Sequence, residues 1–371
     1  MKTIRITLLA VSLFAANTLC AQRFLGGDIS LLPTYEKAGT QYRTAKGKVK
    51  PALQLFKEDG GWNSARVRIF VDPANASAES KAEGVCQDLT YVTGLCKQIK
   101  QSGMSLMLDF HYSDTWADPG KQFTPKAWVQ ADITALGDSV YRHTRYVLET
   151  LKTADATPDM IQVGNEITNG MLWPTGHVDP TKDDIRWDVL ASFLRQGVKA
   201  CREVCPKAKI IIHTERAGDW DVTQSYYLSL LNHGVDYDII GLSYYPMWHK
   251  DIPNLSRTLD SLDVCFPNKE VMIVEAAFYY SHQNDRWVTD KKQHSDLYPI
   301  TPEGQAQFTH ELVTMFNGHN NVTGLYWWFA EENESGKPVM TSWLNRGLFD
   351  NHTGRALPAF YELKKFVDKK Q

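Results

Sequence analysis

The sequence predicts an α/β chain folded as one single-domain (β/α)8 TIM barrel, and three observations predict it. Eight short apolar runs alternate with eight amphipathic helical patterns. Hydrogen-bonding and aromatic residues gather just after the runs, where barrels of this type build their sites. The 371 residues contain no interdomain linker, low-complexity tract or internal repeat, and barrels of this length fold as one unit.

The strand-like runs are residues 24–30, 65–70, 105–110, 160–165, 210–213, 237–243, 271–275 and 324–328. The helical patterns cover 49–59, 85–102, 133–153, 187–204, 222–233, 252–264, 302–316 and 357–369. Gly60-Gly61, Gly103 and Gly234 each follow a periodic run, as expected where a chain leaves its last helical turn.

Ahead of the first run, Lys2 and Arg5 precede an apolar stretch, 6–16, and a small-residue exit at 19–21. That order predicts a signal peptide over 1–21, a catalytic domain over 22–371, and export to the periplasm or the exterior. Cys20 would allow a surface lipoprotein, but Asn17-Thr18-Leu19 lacks the small residue wanted just before a lipidated cysteine, so plain cleavage is expected. No transmembrane segment is expected, because no other stretch is apolar enough to span a bilayer. Beyond Cys20 the chain carries Cys86, Cys96, Cys201, Cys205 and Cys265, an odd set without a framework, which predicts free thiols. Cys201 and Cys205 have no nearby histidine to complete a metal site. A net charge of −3 with thinly spread Lys and Arg excludes a nucleic-acid footprint, and a monomer is expected. Eleven Trp and 16 Tyr suit a core, and they also suit stacking on sugar rings.

Two of the runs end in glutamate. Residues 160–163 lead into Gly164-Asn165-Glu166, and 271–274 lead into Glu275. Arg66 and Arg68, two apart on the second run, face one way and need carboxylate partners if they point into a barrel. Two strand-end carboxyls suit glycoside cleavage, in which one donates a proton and the other stays ionised beside a cation. Asn165 is placed to hold the hydroxyl next to the reacting carbon. Asp109, His111 and Trp116 in the dense loop after the third run, Trp173 after Glu166, and His213 in the fifth run complete the candidates. Structural alternatives stay open: His111 and His213 as bonded core histidines, Trp116 and Trp173 as loop anchors.

Four segments carry a resemblance: D-F-H-Y-S-D-T-W-A-D-P-G-K-Q (109–122), G-N-E-I-x-x-G-M-L-W-P (164–174), G-L-S-Y-Y-P (241–246) and V-E-A (274–276). They resemble arabinogalactan endo-β-1,4-galactanases of glycoside hydrolase family 53, in a clan of retaining (β/α)8 glycosidases. The resemblance runs from about Phe24 to the C-terminus. It implies Glu166 as acid/base, Glu275 as nucleophile, Asn165 on the 2-hydroxyl, and Arg66 and Arg68 as the second-strand arginines. It also implies Tyr244 as the tyrosine beside the nucleophile, Trp328 as the tryptophan under the sugar, and β-1,4-galactan as the substrate partner. No cofactor is required.

Two departures stand out. Trp328 is followed by Phe329-Ala330-Glu331-Glu332 instead of the family's usual Glu-Pro-Ala-Trp, and the loop to Trp343-Leu344-Asn345 is short. The loop that holds calcium in bacterial relatives is here Ser281-His282-Gln283-Asn284-Asp285-Arg286, with Asp290 and His294 beyond. Oxygen ligands exist, but no compact acidic loop, so a structural calcium is not favoured. A clan relative acting on mannan or cellulose, or a non-catalytic galactan-binding barrel, are the alternatives. The intact Asn165, Glu166 and Glu275 count against the second.

Overall fold

The structure, a computed structural model, describes residues 22–182, 186–282 and 296–368. The expected signal peptide and most of the loop considered for calcium, from Gln283 to His294, lie outside the described residues.

Eight parallel strands form the sheet: β1 (Phe24–Gly27), β2 (Ser64–Ile69), β3 (Ser105–Phe110), β4 (Met160–Val163), β5 (Lys209–Thr214), β6 (Ile239–Tyr244), β7 (Glu270–Ala276) and β8 (Val322–Trp327). Their order around the sheet is β1-β8-β7-β6-β5-β4-β3-β2. A parallel bridge between Asp28 and Arg66 brings β1 to β2 and completes the ring. One principal helix follows each strand: α1 (Ala52–Glu58), α2 (Leu89–Gln101), α3 (Ile133–Thr153), α4 (Arg186–Val204), α5 (Trp220–Asn232), α6 (Ile252–Cys265), α7 (Pro302–Asn317) and α8 (Pro358–Glu362). Every residue of β2, β4, β6 and β8 is buried, because side chains face the barrel lumen on one side and the helices on the other.

The floor of the lumen is apolar, packed from Met107, Met160, Ile211, Ile239, Met272, Val274 and Tyr326. Aspartates cap the outer helices where the sequence turns polar before an apolar period. Asp88, Asp132, Asp219 and Asp251 each accept a first-turn amide of α2, α3, α5 and α6.

Differences from the sequence reading have local causes. The helix expected over 49–59 begins at Ala52, since Pro51 is extended and supplies no N–H. That over 85–102 begins at Leu89 behind its Asp88 cap, leaving Cys86 outside the helix. The terminal helix is the short α8 followed by a 3-10 turn over Leu363–Phe366. The structure adds short helices, Leu32–Lys37, Ala78–Ala82 and Pro246–His249, and a hairpin pairing Gly170–Met171 with Gly176–His177. All of them lie in loops that leave the C-terminal ends of strands. The five described cysteines are unbonded, and no described helix is long and apolar enough to cross a membrane.

Candidate active site

Period-two alternation carries the inward-facing residues up from the floor to the mouth. On β2 these are Arg66 and Arg68; on β3, Met107 is followed by Asp109 and then His111. Arg66 is the hub. Fully buried, it sits 3.1 Å from Asp28, 2.8 Å from Asp109 and 2.9 Å from Glu275, and it donates to Asn165 Oδ1 at 2.8 Å. Burial works against its charge, but Asp109, Glu275 and Asp28 outweigh that and raise its pKa. Asp109 is in turn held below the usual carboxylate range, because Arg66 and His111 overcome its own burial.

Strict alternation from Met272 and Val274 on the floor would turn Glu275 outward. A bulge prevents this: Leu242 pairs with Ile273, but the next residue, Ser243, pairs with Glu275. The extra residue re-aims the carboxylate into the lumen. There one oxygen meets Arg66, and the other accepts from Tyr245 Oη at 2.7 Å.

Glu166 follows Asn165 at the end of β4 and has a positive φ of 48°, in the left-handed region. Its Oε1 accepts from Ser243 Oγ at 2.6 Å, and that hydroxyl lies 2.8 Å from His213 Nε2. His213 Nδ1 meets the Gln162 side-chain amide and Asn165 Oδ1, each at 3.1 Å, and because the Ser243 hydroxyl donates to Glu166, it accepts from Nε2. Burial first, then Arg66, pushes the His213 pKa far down, which keeps the ring neutral.

Burial raises both glutamates, but to different degrees. At Glu166 the nearby carboxylates of Glu275 and Glu215 add to burial and Ser243 opposes it weakly, so the pKa climbs well above normal. At Glu275 burial is opposed by the Arg66 guanidinium and the Tyr245 hydroxyl. The neighbours thereby favour the proton at Glu166 and oppose it at Glu275.

The cavity around the pair measures about 680 Å3. One wall comes from the loops after β2, β3 and β8, with Arg68, His111, Trp116, Trp328, Trp343 and Arg346. The opposite wall comes from the loops after β5 and β6, with Glu215, Arg216, Tyr245, Trp248 and His249. Trp248 is 49 % exposed, an indole open to the mouth.

Of the expected site residues, Arg66, Arg68, His111, Trp116, Asn165, Glu166, Glu275 and Trp328 line this cavity together. Asp109 and His213 do not; both are fully buried beneath it and act on the residues that do. Trp173 is a loop anchor, its Nε1 donating to Asn169 O at 2.9 Å and its ring against His177. The tyrosine beside Glu275 is Tyr245, which corrects the placement at Tyr244. Ile239 belongs to the floor and Ser243 reaches Glu166, so alternation turns Tyr245 inward and Tyr244 outward. Tyr244 stacks on Phe308 of α7 and donates to Lys250 O at 3.0 Å.

The sequence reading missed Tyr245, Glu215 and Arg346. Counting by two from Ser243 or His213 would have found the first two. Arg346 has no such signal, because it lies 19 residues beyond Trp327, in an irregular loop. Among the described residues no group of three or more His, Cys, Asp or Glu is arranged to hold a metal ion.

The sequence model of glycosyl hydrolase family 53 matches residues 24–363. A Niallia circulans protein, known as the uncharacterized protein in the bgaB 5′ region, is 35 % identical over 352 residues, covering 92 % of this chain and 93 % of its own. A probable arabinogalactan endo-β-1,4-galactanase A from Neosartorya fischeri is 33 % identical, covering 82 % of this chain and 83 % of its own. Among solved structures, the Ignisphaera aggregans GH53 catalytic domain superposes with a TM-score of 0.83 at 29 % identity, covering 95 % of this chain and 98 % of that one.

Proposed function

The chain belongs to glycosyl hydrolase family 53, and from that premise we propose that it is an exported, endo-acting, retaining hydrolase of β-1,4-galactan that works as a monomer. One observation carries the assignment of roles: Arg66 and Tyr245 hold Glu275, whereas Glu166 has carboxylate neighbours and, among the described residues, no ion pair. Glu275 is the nucleophile, attacking the anomeric carbon to form a galactosyl ester as the glycosidic C–O bond breaks. Glu166 gives its proton to the departing oxygen, then takes one from the water that hydrolyses the ester.

The other residues serve these two steps. Ser243 and the neutral His213 orient the Glu166 carboxyl. Asn165 has its carbonyl fixed by Arg66 and its amide by Ala117 O, which leaves a second N–H for the sugar 2-hydroxyl. Trp328 gives the reacting ring a flat wall, with Phe329 stacked behind it at 3.9 Å. Two carboxyls and water account for the whole reaction, so no cofactor enters it. Beyond Trp328 the short loop after β8 adds only Trp343 and Arg346 to the cavity, and the expected end products are galactose and galactobiose.

Unbranched β-1,4-galactan tests the proposal. Viscosity should fall early, and chromatography should show short galacto-oligosaccharides. Sugar released from mannan or cellulose but not galactan would assign a different substrate. Retention of the protein on galactan without any sugar release would make it a binding protein.

A further inference from the structure

Four arginines line the cavity, and one differs from the other three. Arg66 is paired with Asp28, Asp109 and Glu275, Arg68 with Asp28 at 2.8 Å, and Arg216 with Glu215 at 2.9 Å. Among the described residues Arg346 is paired with no carboxylate. It is 1 % exposed, and its Nε, Nη1 and Nη2 have no hydrogen-bond partner. Rings enclose it instead: the guanidinium carbon lies 4.5 Å from the centre of Trp343, 4.9 Å from Trp328 and 5.5 Å from Tyr279. Such contacts favour the charge but leave the in-plane N–H donors unserved.

The surrounding loop keeps the cation bare. A carboxylate of the same loop, Glu332, accepts the backbone amides of Asn345, Arg346 and Gly347 and the side chain of Asn351. Glu83, on the same wall, is held by Ser342 Oγ at 2.9 Å. Trp343 and Asn345 have positive φ angles of 66° and 62°, a conformation that side chains rarely adopt and that clusters where a site demands it. Trp343 is half-buried, its ring centre 4.5 Å from the guanidinium, and both residues line the cavity. A buried cation without an acceptor is unfavourable, and a ligand that brings a carboxylate relieves it.

We propose that Arg346, Trp328 and Trp343 form a subsite for an acidic sugar, a hexuronate unit. Its ring packs against Trp343, and its carboxylate takes the guanidinium N–H groups, whose planar fork matches a carboxylate. The subsite lies on the side of the cavity that carries Trp328. It rests on the galactanase reading and adds charge selection to it, favouring galactan segments that carry a uronic acid.

Galacturonate and galactose, titrated calorimetrically into the whole protein, separate the charge from the ring. The wild type should bind galacturonate about tenfold more tightly than galactose, with the advantage shrinking as salt rises from about 20 to about 500 mM. Arg346→Met should erase the advantage, and Arg346→Lys, which keeps the charge but not the fork, should retain part of it. Equal binding of both sugars by the wild type, the outcome if water alone serves Arg346, overturns the proposal. So does a salt-independent advantage, or one that survives in a folded Arg346→Met protein. Hydrolysis of neutral galactan by the wild type is scored separately, so a failure of the galactanase reading shows there and not in the titration.

Discussion

Glu275 and Glu166 open into one cavity, yet their surroundings are opposite. Glu275 is held by a guanidinium and a phenol hydroxyl, on a bulge that exists to turn it inward. Glu166 has a serine hydroxyl, a neutral histidine behind it, and two other carboxylates nearby. The same residue type in one cavity is given two electrostatic surroundings by its neighbours, one favouring the proton and one opposing it. Role therefore follows from what each carboxyl touches, and altering those contacts should alter the roles in a stated direction.

The largest change should follow loss of the hub. Arg66→Met removes the cation that Asp28, Asp109 and Glu275 share and leaves Arg68 on Asp28 alone. We expect about 3–5 kcal/mol lost in stability, together with a large fall in kcat/KM. The sign in pH is fixed: Arg66 lowers the Glu275 pKa, so without it the carboxylate forms only at higher pH and the acidic limb of kcat/KM moves upward. Thermal melts and a pH profile read both effects, and an unmoved acidic limb would show that Arg66 does not govern Glu275.

A smaller effect should separate the two adjacent tyrosines. Tyr245→Phe removes a hydrogen bond to a charged carboxylate and should lose about 1.5–3 kcal/mol in kcat/KM, again raising the acidic limb. Tyr244→Phe removes a bond to Lys250 O and should lose only about 0.5–1.5 kcal/mol, in stability and not in turnover. Equal losses of activity would mean that Tyr244 also serves the site.

The smallest effect concerns the alkaline limb. Glu215 raises the Glu166 pKa by like-charge repulsion, so Glu215→Gln should lower it. The acid then deprotonates earlier and the alkaline limb moves to lower pH, with little change at the optimum. A shift to higher pH, or none, would place Glu215 outside the electrostatics of the pair.

These contrasts also show what the sequence could and could not disclose. The eight strands, the paired glutamates and Asn165 were legible because alternation and strand length are local properties of the chain. The inward turn of Glu275 was not, since a bulge depends on the register with β6, a partner distant in sequence. Tyr244 was chosen over Tyr245 although alternation from Ser243 pointed to the latter; a motif names a pair of residues, and parity decides between them. Asp109 and His213 carried the right chemistry at strand ends but lie a layer below the cavity, a depth that spacing does not encode. Arg346 was invisible because its rings come from three separate segments.

The division of labour between the two glutamates is tested most directly by azide rescue of their alanine variants, using a galactoside with a good leaving group. Glu275→Ala should be inactive alone and, with azide, should release the α-galactosyl azide, because the anion attacks from the face the nucleophile has vacated. Glu166→Ala should still form the ester and, with azide, should release the β-galactosyl azide. Azide products of the same configuration from both variants, or rescue of Glu166→Ala to the α product, would contradict the assignment.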